Sequence, residues 1–168
     1  MSVIHVSDGA ESDIDSIISI LESDKGSIDY LGVSSDTDPL ASPDLYKMIK
    51  QVRPRGLKVL IITDGRDPGN LDDLIGAGYT HTIDLLVGKK ITDAQRKCIS
   101  ILNDNGCKYA VTVNAWEHDE DSISAIAEEC EGCCMFLFRQ DRLKPLNRNE
   151  MSPLTVAAKR CTWNVKMI

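Results

Sequence analysis

Five aspartates, Asp8, Asp36, Asp38, Asp64 and Asp67, each fall in a short polar segment just after an apolar run, and His118 follows another such run. Carboxylate oxygens gathered from several loops are the ligand set of a hard divalent cation such as magnesium. Loop aspartates also serve as turn formers and helix caps, a role that suits Asp67 before Pro68. A second chemistry is offered by six cysteines. Thiolates from Cys107, Cys130, Cys133 and Cys134, with Cys161 nearby, would bind zinc or an iron-sulfur centre if brought together. Cysteine is also among the residue types most often buried, and C-x-x-C occurs where helices pack under a sheet. Gly88-Lys89-Lys90 could receive an anionic group or simply be solvated. There is neither a G-x-S-x-G elbow nor a Gly-rich phosphate loop of standard spacing.

The elements that position these residues follow one plan. The run KVLIITDG, residues 58–65, is apolar and β-branched and stops at a small polar turn, as a buried parallel strand does. Further strands are expected at residues 3–7, 28–34, 82–87, 109–114, 133–138 and 163–168. Between them, apolar residues at helical spacing mark helices: Ile14, Ile17, Ile18 and Leu21; Leu45, Met48, Ile49 and Val52; Leu71, Leu74 and Ile75; and Ile123, Ile126 and Ala127. Ser42 before Pro43 and Asp67 before Pro68 supply starts for two of these helices, and the Thr92/Gln95 capping box starts a further one that ends at Asn105-Gly106. Ser152-Pro153 reads as another helix start.

Six alternating β-α units predict a parallel sheet covered by helices. A full eight-unit barrel takes about 250 residues. The 168 residues here suit a single α/β domain, residues 1–168, built as a partial (β/α)6 TIM-like barrel; an open doubly wound parallel sheet is the alternative. In either, ligands meet the carboxyl ends of the strands. That rim would carry Ser7 and Asp8, residues 35–38, residues 63–67, Gly88 to Lys90, residues 114–118 and residues 139–142, while the cysteines of the C-x-x-C region fall at the opposite, amino rim. His5 lies within a strand, where packing is its expected role, and His81 precedes the fourth strand on the amino side.

A net charge of −7 opposes binding to a nucleic-acid backbone or an anionic membrane. Aromatic residues make up 5% of the chain, too few for a base-stacking platform. With no signal-like segment and no apolar run near the roughly 20 residues that span a bilayer, a cytoplasmic protein with reduced thiols is expected.

The run IDYLGVSSDTDPLASPDLYKMIKQVRPRGLKVLIITDGRDPGNLDDLIGAGY resembles the middle of radical S-adenosylmethionine (SAM) activating enzymes of the pyruvate formate-lyase and anaerobic ribonucleotide reductase activase type. The later SISILNDNGCKYAVTVNAWEHDEDSISAIAEE, FLFRQDRLKPLN and NVKMI are similar to the rest of that barrel. The resemblance implies a radical-SAM-type partial barrel. A Gly-Gly-Glu-Pro motif that meets the SAM amino group is matched by Asp36-Thr37-Asp38-Pro39, which keeps an acid and the proline but neither glycine. The family's Thr-Asn-Gly is matched by Thr63-Asp64-Gly65. Asn114 and Arg139, at the ends of the fifth and sixth strands, complete the implied SAM-facing set. The family's C-x-x-x-C-x-x-C cluster loop is replaced by Ser7-Asp8-Gly9-Ala10-Glu11-Ser12, and no cysteine precedes Cys98.

The implied function is that of a cluster-free radical-SAM-like protein: a non-catalytic binding, regulatory or assembly subunit linked to anaerobic metabolism, with no four-iron cluster of the family's type. A protein partner or a homodimer would cover the open edges of such a barrel. The alternative is an enzyme using the acidic carboxyl rim, either magnesium-dependent or binding SAM or a nucleotide.

Overall fold

A computed structural model describes residues 2–5, 16, 19, 30–35, 37–55, 58–79 and 82–168. The expectations placed on Ser7, Asp8, Asp36 and His81, and on the apolar stripe from Ile14 to Leu21, lie outside the described residues. Ser16 and Ser19 are helical and exposed.

Seven strands form one sheet: β1 (Ser2–His5), β2 (Tyr30–Ser34), β3 (Lys58–Thr63), β4 (Thr82–Val87), β5 (Tyr109–Asn114), β6 (Met135–Arg139) and β7 (Val165–Met167). Every neighbouring pair is parallel, and the spatial order follows the chain from β1 to β7. A doubly wound sheet must reverse its strand order at a switch point. This sheet has no reversal among the described strands. The all-parallel α/β sheet expected from the sequence is present, and it is compatible with the partial barrel and with an open parallel sheet.

The described helices are α1 (Pro43–Val52), α2 (Pro68–Gly76), α3 (Asp93–Asp104), α4 (Glu120–Glu129) and α5 (Arg148–Ala158). Their apolar stripes pack on alternate strand residues: Leu45, Met48 and Ile49 of α1, Leu71 and Leu74 of α2, and Ile123 and Ile126 of α4 share a core with Val33, Val59, Ile61, Leu85, Val111, Phe136 and Phe138. Strand side chains alternate between faces. The other face therefore receives Leu60, Ile62, Leu86, Ala110, Met135 and Leu137 together with the polar Ser34, Asp84, Thr112, Asn114 and Arg139.

Local chemistry explains most boundaries. Thr92 and Gln95 form the expected reciprocal capping box, and the Asp67 carboxylate accepts from Asn70 N at 3.1 Å. Ser42 precedes α1 but makes no side-chain cap bond, so Pro43 in the first turn carries that start. The expected start at Ser152-Pro153 is corrected. Helix α5 begins at Arg148, where the Asn147 and Glu150 side chains cap one another's backbone, and Pro153 lies inside it. A box that satisfies two orphan N–H groups outweighs the one internal bond Pro153 forgoes. Strand β6 starts later than expected, because Cys133 and Cys134 belong to the turn before it.

Candidate functional site

The carboxyl ends of β2 and β3 are joined through Asp38. Its Oδ1 accepts from the Thr63 hydroxyl at 2.8 Å and from Leu40 N at 3.0 Å, and the Thr63 hydroxyl in turn accepts from Gly65 N at 2.9 Å. Asp38 is 2% exposed. Its other oxygen, Oδ2, is buried with no hydrogen-bond donor, although the carboxyls of Asp38 and Asp64 lie within hydrogen-bonding reach of each other. Two ionised carboxylates repel each other, and a proton shared between Asp38 and Asp64 relieves that repulsion without bringing Asp38 a donor from outside the pair. Burial, with a smaller push from Asp64, raises the Asp38 pKa accordingly. For Asp64 burial acts upward, but its bonds from the Arg66 guanidinium and Asp38 bring it below the usual range. Arg66 Nε lies 2.9 Å from Asp64 Oδ2, and its terminal nitrogen bonds the same oxygen.

Gly65 turns this corner with φ +70, and a Cβ there would stand 2.6 Å from Leu85 Cδ1. Behind it, Gln95 Nε2 donates to Asp64 O at 2.8 Å and to Leu86 O at 2.9 Å, which ties the ends of β3 and β4 to the first turn of α3. Cys98 Sγ donates to Gly65 O at 3.4 Å; burial, then the nearby Asp38 charge, lifts its pKa to about 11. Asn70 Nδ2 reaches Leu40 O at 2.9 Å and fixes the loop after β2. Beside the corner lies a cleft of about 380 Å³ lined by Asp64, Arg66, Gly88, Lys89, Lys90 and Gln95 among others.

Asp38, Thr63, Asp64 and Gly65 thus form one hydrogen-bonded corner. The other described residues of the expected set have partners outside it. Thr37 pairs with Ser35 at 3.3 Å, Asn114 donates to Glu117 at 3.0 Å, and Arg139, exposed at the end of β6, acts on Asp84 through its charge. His118 does not join the carboxylates. Its Nδ1 lies 3.2 Å from the Ser122 hydroxyl, its Nε2 is buried without a partner, and burial lowers its pKa toward the neutral ring.

Among the described residues no three His, Cys, Asp or Glu side chains come together in a way that could hold a metal. At the amino rim Cys134 is exposed and Cys107 Sγ lies 3.9 Å from Asn105 O, so the set Cys107, Cys130, Cys133 and Cys134 is not assembled. Cys133 instead neighbours Cys161.

Two residues escaped the sequence reading. Asp84, 7% exposed, accepts from the Thr112 hydroxyl at 2.7 Å on the face opposite the helices, and burial raises its pKa against the Thr112 bond and the Arg139 charge. Its signal was a carboxylate in the middle of the apolar strand TIDLLV. Gln95 was visible as a cap, but its grip on two strand ends required the fold.

Fold and corner together define a parallel α/β domain with a polar, partly unsatisfied carboxyl rim. No family model matches the chain, and no curated protein matches it. Among solved structures it is similar to SuiB of Streptococcus suis, whose crystal structure was determined bound to S-adenosylmethionine; the two align with a TM-score of 0.75 and 14% identity over 99% of this chain and 46% of SuiB. At that identity the likeness is one of fold. The chain spans less than half of SuiB's length.

Proposed function

We propose that this chain is a cluster-free radical-SAM-like domain that binds S-adenosylmethionine, or a nucleoside carrying an amino-acid arm, at the β2–β3 corner without cleaving it, as a binding or regulatory subunit. One observation carries the reading: the buried, donor-less Oδ2 of Asp38 at the carboxyl rim. An ammonium group is the donor that such an oxygen lacks, and buried acceptors are otherwise satisfied in folded proteins. Arg66, Lys89 and Lys90 around the adjoining cleft supply positive charge for a carboxylate on the same arm. The fold shared with SuiB, which binds this ligand, supports the assignment. The resemblance of Asp36-Thr37-Asp38-Pro39 and Thr63-Asp64-Gly65 to the family's ligand-facing segments points the same way.

A non-catalytic role is supported by the cysteine-free Ser7 to Ser12 segment, since the thiolates that hold the family's electron-donating cluster have no counterpart there. Such a subunit acts through a partner, and exposed Trp163, Met167 and Ile168 around β7 suit a protein surface better than water. Isothermal titration with SAM tests the binding step. The expected result is one site that Asp38→Asn abolishes while S-adenosylhomocysteine, with the same amino-acid arm, still competes. Absence of heat at millimolar SAM, or undiminished binding by the variant, overturns the reading.

A further inference from the structure

The amino rim carries chemistry that the proposed site does not use. Strand β6 pairs with β7 so that Phe136 faces Val165, and Phe136 N donates to Asn164 O at 3.0 Å. The segment just before β6, which carries Cys133, therefore runs beside the segment that enters β7, which carries Cys161. Asn164 Nδ2 holds Cys134 O at 3.4 Å across the same gap.

The thiols themselves are neighbours. Cys133 Sγ lies 3.2 Å from Met135 O and Cys161 Sγ 3.3 Å from Ala158 O, while the two sulfurs stand within hydrogen-bonding reach of each other. Cys133 is buried and Cys161 half-buried.

We infer that Cys133 and Cys161 form a reversible disulfide in response to a low-molecular-weight disulfide oxidant, clasping β6 to the segment that enters β7. The more exposed Cys161 is the attacking thiolate, because the Cys133 thiol beside it lowers its pKa and keeps the shared proton. Cys161 sulfur attacks one sulfur of the oxidant and expels the other half as a thiolate, giving a mixed disulfide. Cys133 then loses its proton, attacks the Cys161 sulfur and expels the second half. Two protein thiols are oxidised and one external disulfide is reduced to two thiols.

The C-x-x-C partner is the weaker candidate. Cys130 caps the C-terminus of α4, where the helix dipole opposes a thiolate.

The test uses the full chain incubated with oxidised glutathione, then denatured, alkylated and mapped by mass spectrometry. The expected result is loss of two of the six thiols to a single Cys133–Cys161 link that dithiothreitol reverses. Cys130→Ala and Cys134→Ser retain the link. Cys161→Ser removes it, which keeps the test decisive even where the buried Cys133→Ser chain fails to fold. Six free thiols after oxidation, a link mapping to Cys130, or a stable glutathione adduct without a link overturns the inference.

Discussion

The two rims of the sheet solve opposite problems. At the carboxyl rim, helices begin, and their free N–H groups meet carboxylates: Leu40 N reaches Asp38, Asn70 N reaches Asp67, and Ser122 N reaches Asp119. At the amino rim helices end, and their free carbonyls meet hydroxyl and thiol donors. The Tyr109 hydroxyl lies 3.0 Å from Cys130 O and 2.9 Å from Glu131 O, and Cys161 reaches Ala158 O. Helix polarity alone dictates that division. The rims differ in how completely they succeed. Cys133 and Cys161 find carbonyl acceptors, while one oxygen of Asp38 is left with no donor. A satisfied rim is held together by its own groups and open only to covalent change, whereas an unsatisfied one is completed by something else.

The comparison can be broken or sharpened experimentally. Oxidation of the amino rim has the largest expected effect: closing the loop from Cys133 to Cys161 stabilises the chain by about 3.5 kcal/mol on a chain-entropy basis, read as a shift in urea midpoint that Cys161→Ser removes. Gly65→Ala at the carboxyl rim costs about 3 kcal/mol, since it combines a left-handed backbone with a clash against Leu85. Thr63→Val costs about 2 kcal/mol by orphaning Gly65 N and removing one donor to Asp38.

Asp38→Asn has the opposite sign. The Asn amide keeps an acceptor for Thr63 and Leu40 and adds a donor toward Asp64, so the variant gains about 1 kcal/mol at neutral pH while losing the ligand. The pH dependence follows from the raised Asp38 pKa. The stability it contributes is fully present below the ordinary carboxylate pKa and is lost as pH rises through the raised folded value. Denaturation across that window should show the gap between variant and wild type opening as pH increases, and a constant gap would remove the shared proton from the account. Because an ammonium ligand replaces that proton, SAM binding should strengthen with pH over the same window, with proton release visible in buffers of different ionisation enthalpy. The smallest effect is expected for Lys89→Ala with Lys90→Ala, which leaves stability within about 0.5 kcal/mol and weakens binding by about 1 kcal/mol.

Strands β4 and β5 were legible to the residue, because β-branched runs bounded by turn residues have one reading. The Thr92/Gln95 box was legible for a similar reason: both halves lie within one turn of chain. The start of α5 was misread, since Ser-Pro and Asn-x-x-Glu are both valid beginnings and only the packing of Met151 and Leu154 chooses between them. The corner at Asp38 and Thr63 was named in sequence as two separate segments. That they bond to one another across 25 residues was not.

The thiols were read by spacing along the chain, which grouped Cys130, Cys133 and Cys134. The tertiary fold set Cys133 beside Cys161 instead. By itself the sequence determined the periodicity, the caps and therefore the parallel order of strands and helices, because these depend on neighbours a few residues apart. Which buried groups meet, and which single oxygen is left without a donor, was decided only when the strands took their register and desolvated both rims, since hydrogen bonding between segments has no trace in local spacing.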